Sequence, residues 1–159
     1  MISKTKTYEM KLLSSLEKVF PETAPVEKPE NMQLSGLKGE TVSFQAAYHG
    51  PCVTREYVRL EIVSEVKEWI KVRKVELVPS ALPCNPSCDE NYLRTAPGMF
   101  PDLLREIKEE SVPVIAGQWR ALWLDVEIPE DASAGIYDIQ IVFKGADGKL
   151  LCSRAAQIE

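Results

Sequence analysis

The chain has 159 residues, 45% hydrophobic and 27% charged, with a formal net charge of -5. That is enough to close one hydrophobic core and too little for an α/β barrel, which takes about 250 residues. The mild acidity favours solubility and leaves no cationic footprint for nucleic acid, and no apolar run reaches the roughly 18 residues that a membrane-spanning helix needs.

The opening stretch, Met1 to Lys11, lacks the apolar core of a signal peptide, so a cytoplasmic location is expected. Around Tyr8 to Leu13 the periodicity fits a strand or a helix. Pro21, Pro25 and Pro29 exclude a continuous helix and a central strand, which leaves an extended crossing. After a glycine-bounded turn at Ser35 to Glu40, Val42, Phe44, Ala46 and Tyr48 alternate with Thr41, Ser43, Gln45 and Ala47. This predicts a strand with one mostly apolar face, ended by His49 to Pro51. Tyr57 to Val63 and Trp69 to Val78 predict two further strands, with a slip near Lys74 that suggests a bulge.

Residues 79–101, rich in Pro, Cys, Asn, Ser and Gly, form a long connection of the kind that often serves function or an interface. Over Asp102 to Glu110 the spacing of Leu103, Leu104 and Ile107 behind Pro101 suits a short helix, with an extended segment as the alternative. Trp119 to Ile128, Ile136 to Phe143 and Leu150 to Ile158 predict the closing strands. Leu122, Leu124, Val126 and Ile128 share one face, and so do Tyr137, Ile139, Ile141 and Phe143. The last two strands meet through Lys144 to Lys149, a hairpin connection containing Gly145 and Gly148. Six or seven strands with one long excursion and at most one short helix predict an all-β fold: a two-sheet antiparallel β-sandwich formed by residues 1–159 as one domain.

Chemistry-bearing residues are sparse. Cys84 and Cys88 have metal-ligand spacing, but Cys52, Cys152 and His49 are scattered rather than paired with them as a structural zinc site requires, so reduced cysteines and no metal are expected. His49 is the single imidazole, and no nucleophile elbow accompanies it or Ser43. No cofactor motif is present. Asp125 and Glu127 share a strand face with Trp119 and Trp123, an aromatic and acidic stripe able to stack a sugar and accept its hydroxyls. Its other reading is packing beneath the 79–118 loop or against another domain. Phe100, in the Pro-Gly-Met-Phe-Pro turn, and Asp102 next to it are the second candidate contact, with a cap or turn role the alternative for Asp102.

Taken in order, Leu16 to Pro21, Gly39 to Ala47, Arg73 to Pro79, Pro97 to Leu104, Gln118 to Pro129 and Ala134 to Tyr137 span nearly the whole chain. Together they resemble the N-terminal β-sandwich that precedes the barrel in family 123 glycoside hydrolases and their bacterial relatives with a DUF4091-type catalytic region. The resemblance implies an accessory domain without catalytic residues of its own. It also implies a barrel beyond Glu159 in the same polypeptide as partner, whose Asp-Glu pair would act on N-acetylgalactosamine linkages through the substrate's acetamido group. The expected role is to support that barrel or shape its substrate entrance. An independent carbohydrate-binding module that takes a glycan, and a protein-interaction sandwich, are the alternatives.

Overall fold

In the computed structural model, residues 7–26, 31–87, 89–107 and 110–159 are described. They form ten strands: β1 (Glu9–Ser14), β2 (Asn31–Leu34), β3 (Thr41–His49), β4 (Arg55–Val63), β5 (Ile70–Ser80), β6 (Gly98–Glu106), β7 (Ser111–Ile115), β8 (Arg120–Glu127), β9 (Tyr137–Lys144) and β10 (Leu150–Ile158). Two five-stranded sheets result, β1-β3-β8-β5-β6 and β2-β10-β9-β4-β7, called the first and the second sheet below. All pairings are antiparallel except β2 with β10, which is parallel.

The all-β sandwich follows from the alternation. Phe44, Ala46 and Tyr48 of β3 and Leu122, Leu124 and Val126 of β8 turn inward from the first sheet; Val58, Leu60 and Ile62 of β4 and Ile139, Ile141 and Phe143 of β9 meet them from the second. Phe44 and Phe143 are fully buried, and truncating either to alanine costs roughly 3–5 kcal/mol at such sites. Tyr48 packs edge-on against Phe143 at 5.2 Å. Tight turns set the register: Gly39 before β3 and Gly148 between β9 and β10 both take φ of 78°, which a side chain would oppose.

Several expectations need correction. Of the short helix and the extended segment weighed for residues 102–110, the structure has the extended one in strand β6, because the ladder with β5 captures it: Leu104 opposes Val75 and joins an apolar cluster, while its neighbour Leu103 is exposed. Tertiary pairing outweighs a spacing that would have put both leucines on one helical stripe. Pro101 is tolerated because β6 is an edge strand. The long connection shrinks to residues 81–97, since β5 runs to Ser80 and β6 starts at Gly98. Trp69 ends a 3-10 turn over Lys67–Trp69 instead of opening a strand. The strand count exceeds six or seven partly because β2 and β7, of four and five residues, lie at the edges of the second sheet and are too short to show a period. The bulge falls between Glu76 and Leu77 rather than at Lys74, and the extra residue on the facing strand is Asp102.

Candidate functional site

The two outer faces of the sandwich differ. That of the second sheet is charged and solvated, with pairs such as Arg59–Glu110 (3.1 Å) and Lys144–Glu61. That of the first sheet carries a second apolar cluster of Leu13, Ala47, Val75, Trp119 and Ala121, closed from outside by Val19. Ala47 and Ala121 oppose each other across β3 and β8, and their small side chains let the backbone of residues 15–26 lie close to the sheet. This arm is tied down by hydrogen bonds. Gln45, only 3% exposed, donates through Nε2 to Ser14 O at 3.1 Å and to Glu17 O at 2.8 Å. The backbone N–H of Trp119 donates to Pro21 O at 2.9 Å, and Lys11 Nζ donates to Pro25 O at 3.1 Å.

The predicted stripe lies on this face, and its members fare differently. Trp119 is 7% exposed beneath the arm, with the His49 ring tilted against it at 5.4 Å and Lys11 over its ring at 5.1 Å. Trp123 is half-buried, and its indole N–H donates to Asp125 Oδ1 at 2.7 Å. Asp125, 6% exposed, also accepts from Ser43 Oγ at 2.6 Å and pairs with Arg73. Burial alone would raise this carboxyl, but the three donors and the Arg73 charge more than offset it and hold its pKa below the ordinary aspartate range. Glu127, at the exposed end of the stripe, pairs with Lys71 at 2.5 Å.

Phe100 and Asp102 lie together at the rim of the same face. Phe100 meets Phe20 of the arm edge-on at 5.8 Å, and the Arg94 guanidinium sits over both rings at 5.4–5.5 Å while pairing with Glu22 at 3.1 Å. Lys18 Nζ donates to Pro101 O at 3.3 Å, a further tie between arm and β6. Beside them opens a cleft of about 400 Å³ lined by Phe20, Val78, Tyr92, Leu93, Phe100 and Asp102. Because Asp102 is the bulged residue of an edge strand, its carboxylate is directed out of the ladder; it is exposed and has no partner among the described residues.

Asp125 is locked as a carboxylate, and His49 stands at the opposite end of β3 from Ser43, roughly 20 Å away at strand spacing. No group of three or more His, Cys, Asp or Glu side chains able to hold a metal occurs among the described residues. Cys52 and Cys152 are free thiols, whereas the metal-ligand spacing of Cys84 and Cys88 involves a residue outside those described. Gln45, Arg73 and Arg94 escaped the sequence reading. Only Gln45 left a signal, a polar residue at the same strand parity as Ala47, where a small residue is fully buried.

No family model and no curated protein matches the chain by sequence. Among solved structures, a family 123 glycoside hydrolase from Clostridium perfringens, studied for glycolipid glycan hydrolysis, is similar with a TM-score of 0.70 at 13% identity. The match covers 96% of this chain and 27% of that enzyme, so the chain spans about a quarter of its length. At that identity the likeness is one of fold. A type I cohesin–dockerin structure from Clostridium thermocellum matches 96% of this chain and 98% of its own at 15% identity, with a TM-score of 0.40. The N-terminal domain of PorA also has a TM-score of 0.40, at 9% identity, over 94% of this chain and 96% of its own.

Proposed function

We propose that residues 1–159 act as one non-catalytic accessory domain of a glycoside hydrolase-like protein, supporting a catalytic barrel in the same polypeptide or shaping its substrate entrance. The observation that carries this reading is the near-complete overlay of the chain on a quarter of the family 123 enzyme's length. The outer face of the first sheet supports it physically. A sheet face closed by a hydrogen-bonded arm, and rimmed by Tyr92, Leu93, Met99 and Leu103 as exposed apolar side chains, suits a preformed interdomain contact.

Amide hydrogen exchange tests this, comparing the isolated chain with the natural polypeptide that carries it. Slower exchange over residues 97–104 in the longer protein is the expected result, and equal exchange at every position of the first sheet would overturn the buttressing role. The isolated chain is also expected to leave a chromogenic N-acetylgalactosaminide intact; turnover that co-purifies with it would overturn the non-catalytic role.

A second reading, glycan recognition by the chain itself, draws on the cleft where Tyr92, Phe100 and the unpaired Asp102 lie together. Calorimetric titration with N-acetylgalactosamine-containing oligosaccharides would give saturable heats that Asp102→Ala abolishes; no heat at millimolar ligand removes it.

A further inference from the structure

A different cleft, at the end of the sandwich where the 35–40 turn meets the loop of residues 128–136, has the character of a small-molecule site. It measures about 270 Å³ and is lined chiefly by Leu37, Trp69, Ile128, Ala134, Tyr137 and Ile158. Its walls are fixed by hydrogen bonds. Gly36 N–H donates to Glu159 O at 2.9 Å, Gly39 N–H to Ile128 O at 2.9 Å, Ile128 N–H to Glu40 O at 2.8 Å, and Tyr137 Oη to Ser133 O at 2.8 Å. Gly36 packs so tightly that a Cβ there would fall 2.6 Å from side-chain carbons of both Ile128 and Val42. The cleft is therefore a preformed feature of the fold, and not a gap between loosely placed loops.

Size and lining set the class of ligand. An apolar cavity of roughly 150 Å³ already takes a benzene ring, whereas drug-sized ligands occupy about 300 Å³ or more, so this cleft suits one ring or a small fused ring. Trp69 and Tyr137 meet edge-on at 5.1 Å and 65° and supply an aromatic wall. The Trp69 indole N–H has no acceptor among the described residues, and Lys38 and Glu159 place one charge of each sign at the lining.

We propose that this cleft binds a neutral aromatic molecule of one or two rings that carries a hydrogen-bond acceptor, the ring packing against Trp69 and Tyr137 and the acceptor receiving the Trp69 indole N–H. The inference is independent of the accessory role and of the face on which that role rests.

Nuclear magnetic resonance titration of the 159-residue chain tests it, with acetophenone (ring and acceptor), toluene (ring alone) and acetone (acceptor alone) as probes. Acetophenone is expected to shift the Trp69 indole resonance and the Gly135 and Tyr137 amides saturably, at roughly millimolar concentration for a ligand of so few atoms. Toluene should bind more weakly and acetone not at all. Gly135→Leu fills the cleft from a position where a Cβ meets only the Tyr137 ring, at 3.8 Å, and should weaken acetophenone binding at least about tenfold with thermal stability retained. Trp69→Phe should abolish the advantage of acetophenone over toluene. Absence of saturable shifts at ~10 mM acetophenone, or equal binding by the folded Gly135→Leu variant, overturns the site.

Discussion

Trp123 and Asp125 are locked to each other on the outer face of the first sheet: the indole N–H donates to Oδ1 at 2.7 Å, and Ser43 Oγ reaches the same oxygen at 2.6 Å. With Arg73 on the other carboxylate oxygen, Asp125→Ala would strand two neutral donors, the Trp123 indole N–H and the Ser43 hydroxyl, and a guanidinium. We expect a loss of about 2–4 kcal/mol in urea unfolding, and a smaller loss of about 1 kcal/mol for Asp125→Asn, which keeps an acceptor. The pH dependence follows from the lowered pKa. Above the ordinary aspartate value of about 3.9 the stabilisation is fully present, and it disappears as pH falls through the lower folded-state value. Wild-type stability should therefore fall more steeply than that of Asp125→Asn on acidification below about pH 4. Parallel acid profiles would show that the carboxylate contributes nothing.

The two tryptophans of the stripe should separate by stability. Trp119→Ala removes a ring buried beneath the arm and should cost about 3–5 kcal/mol, whereas half-buried Trp123→Ala should cost about 1–3 kcal/mol, mostly through its bond to Asp125. Chemical denaturation of both variants is the measurement. A Trp119→Ala protein as stable as wild type would contradict the burial described above.

The inner faces of the sandwich were legible because residues such as Phe44, Leu124 and Ile141 follow a two-residue period that local sequence records directly. The outer face of the first sheet was legible only as a stripe of residue types. What covers Trp119 is a segment about a hundred positions earlier, held by side-chain bonds from Gln45 and Lys11 to backbone carbonyls, and no periodicity encodes such a crossing. Strand β6 stayed ambiguous between helix and extended segment for the same reason, since its partner β5, and not its own spacing, decides its conformation. Asp102 stood out in the sequence only as the neighbour of a turn-rich motif; its place as the extra residue of a bulge depends on the pairing of β5 with β6 and leaves no local signal.

Two glycines offer a contrast between a yielding and an unyielding neighbour. A Cβ on Gly98 would fall 2.2 Å from Arg94 Nη2, the end of a flexible side chain; on Gly50 it would fall 2.6 Å from Val114 Cγ1 and 2.9 Å from the Tyr8 ring. Gly98→Ala should therefore expel Arg94 from between Phe20 and Phe100 at a global cost within about 1 kcal/mol, and expose residues 81–97 to protease. Gly50→Ala should overpack the core edge at a cost of about 1–3 kcal/mol, with that loop unchanged. Thermal melts beside limited proteolysis read both effects, and a Gly98→Ala loop as resistant as wild type would remove the role given to Arg94.

Gln45 tests whether the arm is held by specific bonds or by apolar packing alone. Its buried side-chain amide is the donor to both Ser14 O and Glu17 O, at the point where the chain leaves β1 and turns across the sheet. Gln45→Leu keeps the volume approximately and leaves two carbonyls without that donor, a change of about 1–3 kcal/mol where they cannot reach water. The arm should loosen before the sandwich does. The Trp119 amide, whose acceptor is Pro21 O, should then exchange faster, while amides of β9, in the other sheet, keep their protection. If Trp119 exchange stays at the wild-type rate, packing of Val19 and Pro21 is sufficient to hold the arm and the Gln45 bonds are incidental.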